Sequence, residues 1–208
     1  MNTHRSLIRR TAAVVAVAAA SFVLAACGSG EDGAAGHGGH GSQTPTASAP
    51  AAQGQHNSTD VAFAKGMIPH HRQAVEMADL APSRAESAEV KQLAEQIKKA
   101  QDPEIKTLSG WLTSWGEQVP AEGPAEHSAH GADGGGMMTA EEMANLKKAS
   151  GKAFDTAFMQ LMIKHHEGAV SMARAEQSGG AFPDAKTMAD AIITSQTAEI
   201  NKMKGLLG

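Results

Sequence analysis

The chain has 208 residues, with 22 acidic and 18 basic side chains and a formal net charge of −4. With only five Phe, two Trp and no Tyr, its hydrophobic core must come mainly from Ala, Leu, Ile, Val and the 11 Met, a composition that favours packed helices over a β-sandwich. One Cys and the absence of Cys-x2-Cys and phosphate-loop motifs exclude an internal disulfide, a cysteine zinc site and a P-loop.

The N-terminus has the pattern of a bacterial export signal. A basic start with three arginines precedes an uncharged, mostly apolar run over residues 12–26, which is too short for a typical membrane-spanning helix. The run ends in Leu-Ala-Ala-Cys, which resembles the lipobox in which the cysteine is lipidated and becomes the new N-terminus. We therefore expect a lipoprotein signal peptide over residues 1–26 and a lipid anchor on Cys27 that holds the protein at the outer face of the cytoplasmic membrane.

The mature chain is acidic. Loss of Arg5, Arg9 and Arg10 with the signal leaves 15 basic residues (18 − 3) against 22 acidic ones, a net charge of −7. Because nucleic acids are themselves polyanions, a nucleic-acid partner is disfavoured.

Two stretches have the composition of linkers. Residues 27–58 are rich in Gly, Ala, Ser, Pro and Gln and lack the apolar residues that would offset the entropy of ordering, so we expect a disordered tether. Residues 117–138 form a second such stretch between the two halves described next. These linkers carry His and Met residues that are either part of a polar spacer or secondary metal ligands: His37, His40, His127, His130, Met137 and Met138.

The rest of the chain contains an internal repeat. Residues 60–112 align with residues 155–207 without a gap at a constant offset of 95 (155 − 60). Identical pairs include Asp60/Asp155, Phe63/Phe158, Met67/Met162, His70/His165, His71/His166, Met77/Met172, Ile97/Ile192, Gln101/Gln196, Glu104/Glu199 and Leu112/Leu207. We therefore expect one domain over residues 59–208 that is built from two related halves.

Each half has the apolar spacing of two amphipathic helices. We predict them at residues 60–80 and 87–115 in the first half and at 153–177 and 184–207 in the second. A capping box at Thr139 and Glu142 predicts a short extra helix between the halves. Because neither hairpin alone could cover its apolar stripe, the two should dock as an all-α four-helix bundle. Two prolines inside the predicted helices, Pro69 and Pro103, predict kinks in the first half.

The first helix of each half carries the pattern Met-x2-His-His-x5-Met on one face. The spacing places these side chains within an arc of roughly 120° that should face the interior. A lone buried His is usually a hydrogen-bonded core residue, but the doubled pattern favours metal ligation. Thioethers and imidazoles without thiolate suit Cu(I), with Cu(II) at the more solvated histidines. The candidate ligands are Met67, His70, His71, Met77, Met162, His165, His166 and Met172.

A carboxylate-bridged di-iron site is the main alternative in a bundle of this kind. Such sites use Glu-x2-His, whereas Met67 and Met162 stand three residues before the first histidine of each pair. Asp60 is ten residues, about 15 Å of helix rise, from His70, which is too far for one centre. Glu104 and Glu199 are the acidic pair that could reach the site from the second helices, as ligands or as groups that support the ligands.

The doubled Met-Ile-x-His-His signature, with the flanking Asp, Phe, Ala-Val and Met-Ala positions, resembles the domain-of-unknown-function family 305 (DUF305). That family is ferritin-like and helical, is often found in exported bacterial proteins, and includes members that bind copper. The likeness covers about residues 58–208. It implies a ferritin-like four-helix bundle and places the candidate ligands at the eight Met and His residues named above.

The sequence thus predicts an extracytoplasmic copper-binding lipoprotein that sequesters copper or hands it to a metal-handling partner protein, without enzymatic turnover. Two alternatives stay open: an envelope oxidoreductase with a copper or di-iron centre, and a helical interaction scaffold whose histidines stabilise a metal-free core. The sequence does not fix the oligomeric state.

Overall fold

The computed structural model describes residues 55–122 and 135–208 of the chain. This part of the chain contains six helices and no strand. The all-α class and five of the helices agree with the sequence prediction, which did not include the short helix over Ala81–Arg84. None of these helices has an apolar stretch long enough to cross a membrane. The helices are α1 (Ser58–Ala78), α2 (Ala81–Arg84), α3 (Ala88–Ser114), α4 (Ala140–Lys148), α5 (Gly151–Gly179) and α6 (Pro183–Leu207).

Side-chain caps fix where several helices begin. Asn57 accepts hydrogen bonds from the N–H groups of Thr59 and Asp60, and Asp60 accepts one from the N–H of Asn57, so a capping box starts α1. The predicted box of Thr139 and Glu142 starts α4 in the same way. We expected the disordered tether to extend to residue 58; instead the fold already includes Asn57, because its side chain satisfies the first N–H groups of α1.

The four long helices form the predicted bundle. Helix α1 packs against α3, α5 packs against α6, and the two hairpins meet through α1 and α5. The Asn57 side chain at the start of α1 donates to the carbonyl of Gly179 at the end of α5, 2.8 Å away, so these two helices run antiparallel. Helices α1 and α3 continue through Pro69 and Pro103. The middle of α1 therefore faces the middle of α5.

Two buried aspartates tie each hairpin to the other. Asp60 in α1 accepts hydrogen bonds from the N–H groups of Ala181 and Phe182, in the joint between α5 and α6. Asp155 in α5 accepts them from the N–H groups of Glu86 and Ser87, just before α3. Each carboxylate thus holds the joint of the opposite hairpin, which gives this identical pair a structural role.

The core divides into two apolar clusters that differ in sulfur content. One contains six buried methionines: Met77, Met138, Met143, Met159, Met162 and Met203. The other contains Met67, with Met172 and Met188 packed against it. At the positions that correspond to Met159 and Met203 in the other half, this second cluster has Ala64 and Leu108. Thioethers are therefore concentrated in one of the two clusters.

Candidate metal centre

Four histidines lie in the middle of α1 and α5, and all four are buried. The imidazole rings of His70 and His165 meet at the α1–α5 contact, with 3.7 Å between their centroids and 41° between their planes. Their neighbours His71 and His166 turn toward α3 and α6 respectively. None of the four residues is more than 2% exposed, so any chemistry at these positions takes place away from bulk water.

Each outer imidazole is paired with a glutamate from the second helix of its own hairpin. Nε2 of His71 donates to Oε2 of Glu104 at 2.7 Å, and Nε2 of His166 donates to Oε2 of Glu199 at 2.6 Å. The two pairs are related by the same offset of 95 residues. A carboxylate on one ring nitrogen fixes the orientation and tautomer of an imidazole, and it leaves the other nitrogen of the neutral ring with a free lone pair.

The inner imidazoles have fewer partners. Nε2 of His70 donates to the carbonyl oxygen of Gly135 at 2.8 Å, whereas neither ring nitrogen of His165 has a hydrogen-bond partner. Burial lowers the pKa of His70 to about 3, with a further contribution from His71, despite the opposing bond to Gly135. Burial, together with His70, also holds the pKa of His165 well below its usual value. Both rings are therefore neutral at physiological pH, the form that binds metals.

The Nδ1 atoms share one feature across the four histidines. Each is buried and none has a hydrogen-bond partner. An unsatisfied buried polar atom costs about 1–3 kcal/mol, so four in one layer are unusual unless something else satisfies them. Metal ions bound to these lone pairs, with no more than two of the imidazoles on any one ion in this arrangement, would do so. The paired glutamates on His71 and His166 are the usual companions of metal-binding imidazoles.

The thioethers flank this histidine layer in a crossed arrangement. Met77 of the first half shares a cluster with Met162 of the second, while Met67 packs in the other cluster with Met172. Met67 and Met162 each lie one helical turn before a His pair. Because α1 and α5 are antiparallel, each end of the layer receives one stripe methionine from each half. Within residues 55–122 and 135–208, no group of three or more His, Cys, Asp or Glu side chains is arranged so that it could hold a metal ion.

The remaining predicted residues fall in different places. Met138 is buried in the methionine-rich cluster and Met137 is half-buried. Glu104 and Glu199 each contact an imidazole of the layer. The predictions for Cys27, and for the linker histidines His37, His40, His127 and His130, concern residues outside the described ranges.

Sequence reasoning missed the groups that contact the site from the end of the linker. The carbonyl of Gly135 bonds His70, and the side chain of Gln73 bonds the backbone of Met138. A signal was present in the comparison of the two halves, where Gln73 corresponds to Gly168. This difference lies two residues beyond the His pair, next to the most similar part of the repeat.

Solved structures with the same fold include copper-bound proteins. A DUF305 protein from Streptomyces coelicolor matches with a TM-score of 0.64 and 33% identity, over 72% of this chain and 91% of the other. CopM in its Cu(I)-bound form matches with a TM-score of 0.60 and 34% identity, over 72% of this chain and 96% of CopM. The Cu(II)-bound form gives 0.62 and 36%, over 71% and 95%.

The sequence matches no curated protein. The family model described as domain of unknown function (DUF305) matches residues 60–207, which include both His pairs and both glutamates. With the solved relatives above 30% identity, this match establishes the family, and the chain belongs to DUF305.

Proposed function

We propose that this protein binds copper outside the cytoplasm and sequesters it or passes it to another protein, without turning over a substrate. The observation that carries the proposal is the buried layer of four imidazoles whose Nδ1 atoms have no partner. Methionines flank that layer on both sides.

The donor set favours Cu(I). Thioether sulfur and neutral imidazole are soft or intermediate ligands, and Cu(I) prefers them to carboxylate oxygen. The carboxylates nearest to the layer, Glu104 and Glu199, are bonded to His71 and His166, where they orient the rings. Cu(II), which binds imidazole more readily than thioether, is the second cargo we expect, at the His-rich part of the site.

The solved relatives support the class of metal. CopM has been solved with Cu(I), with Cu(II) and with silver, a soft monovalent ion. Its identity to this chain is above 30% over most of both sequences. Which residues of this chain hold the metal is our own inference from its buried imidazoles and thioethers.

The proposal also includes the location of the protein. A signal peptide over residues 1–26 and lipidation of Cys27 would keep the mature chain on the outer face of the cytoplasmic membrane. The Cys27→Ala protein should leave the membrane fraction and appear in soluble form. If it stays as firmly bound as the parent, the lipid anchor is wrong, although the copper site could still be correct.

Competition for Cu(I) against a chelator tests the metal site. The variant His70→Asn/His165→Asn should lose at least about tenfold in affinity, because it removes two ligands that the bundle holds in place. The matched control, His37→Asn/His40→Asn, removes two tether histidines and should change the affinity less, since a flexible segment must be ordered on binding.

Thermal melts of the same variants separate the alternatives. Unchanged copper affinity in the His70/His165 variant, with only the melting temperature altered, would assign these histidines to the metal-free scaffold. Metal-dependent oxidation of an added electron donor by the purified protein, lost in the same variant, would favour the envelope oxidoreductase instead.

A further inference from the structure

A short segment crosses the imidazole pair just before α4. We call residues Gly135–Met138 the strap. The carbonyl of Gly135 accepts the hydrogen bond from Nε2 of His70, and Met138 is buried in the methionine-rich cluster. Met137, which precedes Met138 in the chain, is half-buried. The strap therefore contacts the histidine layer at one end and the thioethers at the other.

Glycines on both surfaces allow the strap to lie directly on α5. A Cβ atom at Gly168 would stand 1.6 Å from the carbonyl oxygen of Gly135. A Cβ atom at Gly136 would stand 2.5 Å from the carbonyl oxygen of Lys164. Gly135 and Gly136 also have φ angles of +54° and +81°, a region that other residues rarely adopt. The close approach thus depends on the lack of side chains at these positions.

On the other side, α1 holds the strap through one side chain. The amide of Gln73 donates to the carbonyl of Met138 at 2.9 Å and accepts from its N–H at 2.6 Å. Gln73 and Gly168 occupy the same position in the two halves of the repeat. Gln73 binds the strap by hydrogen bonds, whereas the lack of a side chain at Gly168 leaves space for it. The two halves therefore differ at the position where the strap packs.

We propose that the strap controls access to the His70–His165 pair, with Gln73 and Gly168 as the residues that position it. When the strap is seated, its backbone covers the pair and occupies Nε2 of His70. When Gln73 releases Met138, a soft cation can reach the imidazoles past the thioethers of Met137 and Met138. The identity of the cation rests on the proposed function, whereas the control of access does not.

Gly168→Ala is the direct test, because the added methyl group takes the space of the Gly135 carbonyl. Ala favours a helix more than Gly does, so α5 itself should not be weakened. Gly110→Ala is the matched control, since Gly110 also lies inside a long helix and a Cβ there meets nothing within 4 Å. Gln73→Leu is a second variant, which removes both hydrogen bonds to the backbone of Met138 without adding an atom between the strap and α5.

The first readout uses the metal-free protein. Diethyl pyrocarbonate modifies accessible neutral imidazoles, and peptide mass analysis gives the rate at each histidine. We expect modification of His70 and His165 to be at least about tenfold faster in Gly168→Ala and Gln73→Leu than in the wild type, because strap contacts have been lost. The exposed His56 should react equally in all variants and serves as the internal reference. Thermal melts check that the bundle remains folded.

The second readout is the rate of Cu(I) transfer to a chelator from preloaded protein. It should rise in Gly168→Ala and Gln73→Leu but not in Gly110→Ala. If both strap variants label and release Cu(I) at the wild-type rate, the strap does not control access. If they label faster while the wild type binds no Cu(I), the control of access is supported and the proposed cargo is wrong.

Discussion

His70 and His165 occupy equivalent positions in the two halves of the chain, and the centroids of their rings lie 3.7 Å apart where the halves meet. The next histidine of each half instead bonds a glutamate within its own hairpin. Each half thus contributes one imidazole to a pair shared between the hairpins, and its other imidazole is bonded within its own hairpin. The shared pair requires both hairpins, which gives the duplication a chemical consequence.

Replacing both supporting carboxylates should weaken copper binding without unfolding the bundle. In Glu104→Gln/Glu199→Gln the amides no longer fix the imidazoles as strongly, because a charged acceptor bonds an N–H better than a neutral one. We expect copper affinity to fall by about 10- to 100-fold, the usual effect of removing a partner from a metal-binding imidazole. Competition titrations with a Cu(I) chelator measure it.

Glu95→Gln is the control for this variant, since Glu95 is exposed on the same helix as Glu104. Its affinity and stability should match the wild type. Equal copper affinity in Glu104→Gln/Glu199→Gln and in the control would mean that His71 and His166 are core residues rather than ligands.

The repeated stripe could be predicted from the sequence because helical spacing alone puts its members on one face. The starts of α4 and α6 follow from the capping box at Thr139 and from Pro183, which the sequence displays. The start of α1 was predicted two residues too late, because the cap at Asn57 was not recognised. The partners of each imidazole could not be predicted, since they depend on the antiparallel contact of α1 and α5. That same contact brings Met77 together with Met162 rather than with Met67.

Two further features escaped prediction for different physical reasons. Gly135 and Gly136 belong to the stretch 117–138, whose composition is typical of a flexible linker, but in this fold their lack of side chains permits close packing on α5. The buried carboxyl group of Glu176, which lies near Asp60, gave no signal because its counterpart in the first half is Ala81. A comparison between halves identifies what they share, whereas Glu176 is a specific feature of the second hairpin.

The thioethers one turn before each His pair should determine the preference for Cu(I). Met67→Leu/Met162→Leu keeps the side-chain volume, so the free energy of unfolding should change by less than about 1.5 kcal/mol. Cu(I) affinity should fall while Cu(II) affinity, carried by imidazoles, changes little. Parallel titrations with both ions measure the difference.

Met159→Leu/Met203→Leu is the matched control, because these two methionines are buried but lie outside the repeated stripe. The stripe prediction fails if the control pair loses as much Cu(I) affinity as the stripe pair does. That result would instead assign Cu(I) to the methionine-rich cluster as a whole.

Glu176 should make the stability of the protein depend on pH. Its pKa is raised from 4.5 to about 8, first by burial and then by the neighbouring Asp60 carboxylate, while Lys186 acts in the opposite direction. The folded protein therefore holds a proton that the unfolded chain has lost between about pH 4.5 and 8. The stabilisation is fully present below that window and declines as the pH rises through it.

Glu176→Gln removes this titration. Relative to the variant, the wild type should lose roughly 2 kcal/mol of unfolding free energy between about pH 5 and pH 8. Urea unfolding at several pH values gives the two curves. Parallel curves, with a constant difference from acid to alkaline pH, would show that Glu176 is ionised in the folded state.

The two aspartates that join the hairpins should contribute unequally to stability. Burial alone raises the pKa of Asp60, but the N–H groups of Asn57 and Phe182 and the Glu176 carboxyl outweigh it, so the net pKa is lowered and the group is a carboxylate at neutral pH. It accepts hydrogen bonds from three backbone N–H groups, those of Asn57, Ala181 and Phe182. Asp155 accepts only those of Glu86 and Ser87.

We therefore expect Asp60→Asn to lower the free energy of unfolding by about 2–3 kcal/mol and Asp155→Asn to lower it by less, since an amide supplies one acceptor atom where the carboxylate supplies two. Asp190→Asn, at an exposed position of α6, should stay within about 0.5 kcal/mol of the wild type. Urea unfolding at neutral pH compares the three. If Asp155→Asn lowers the free energy of unfolding more than Asp60→Asn does, the joint before α3 contributes more to the association of the two hairpins than the joint between α5 and α6. The imidazole pair between the hairpins would then depend chiefly on the contact that Asp155 makes.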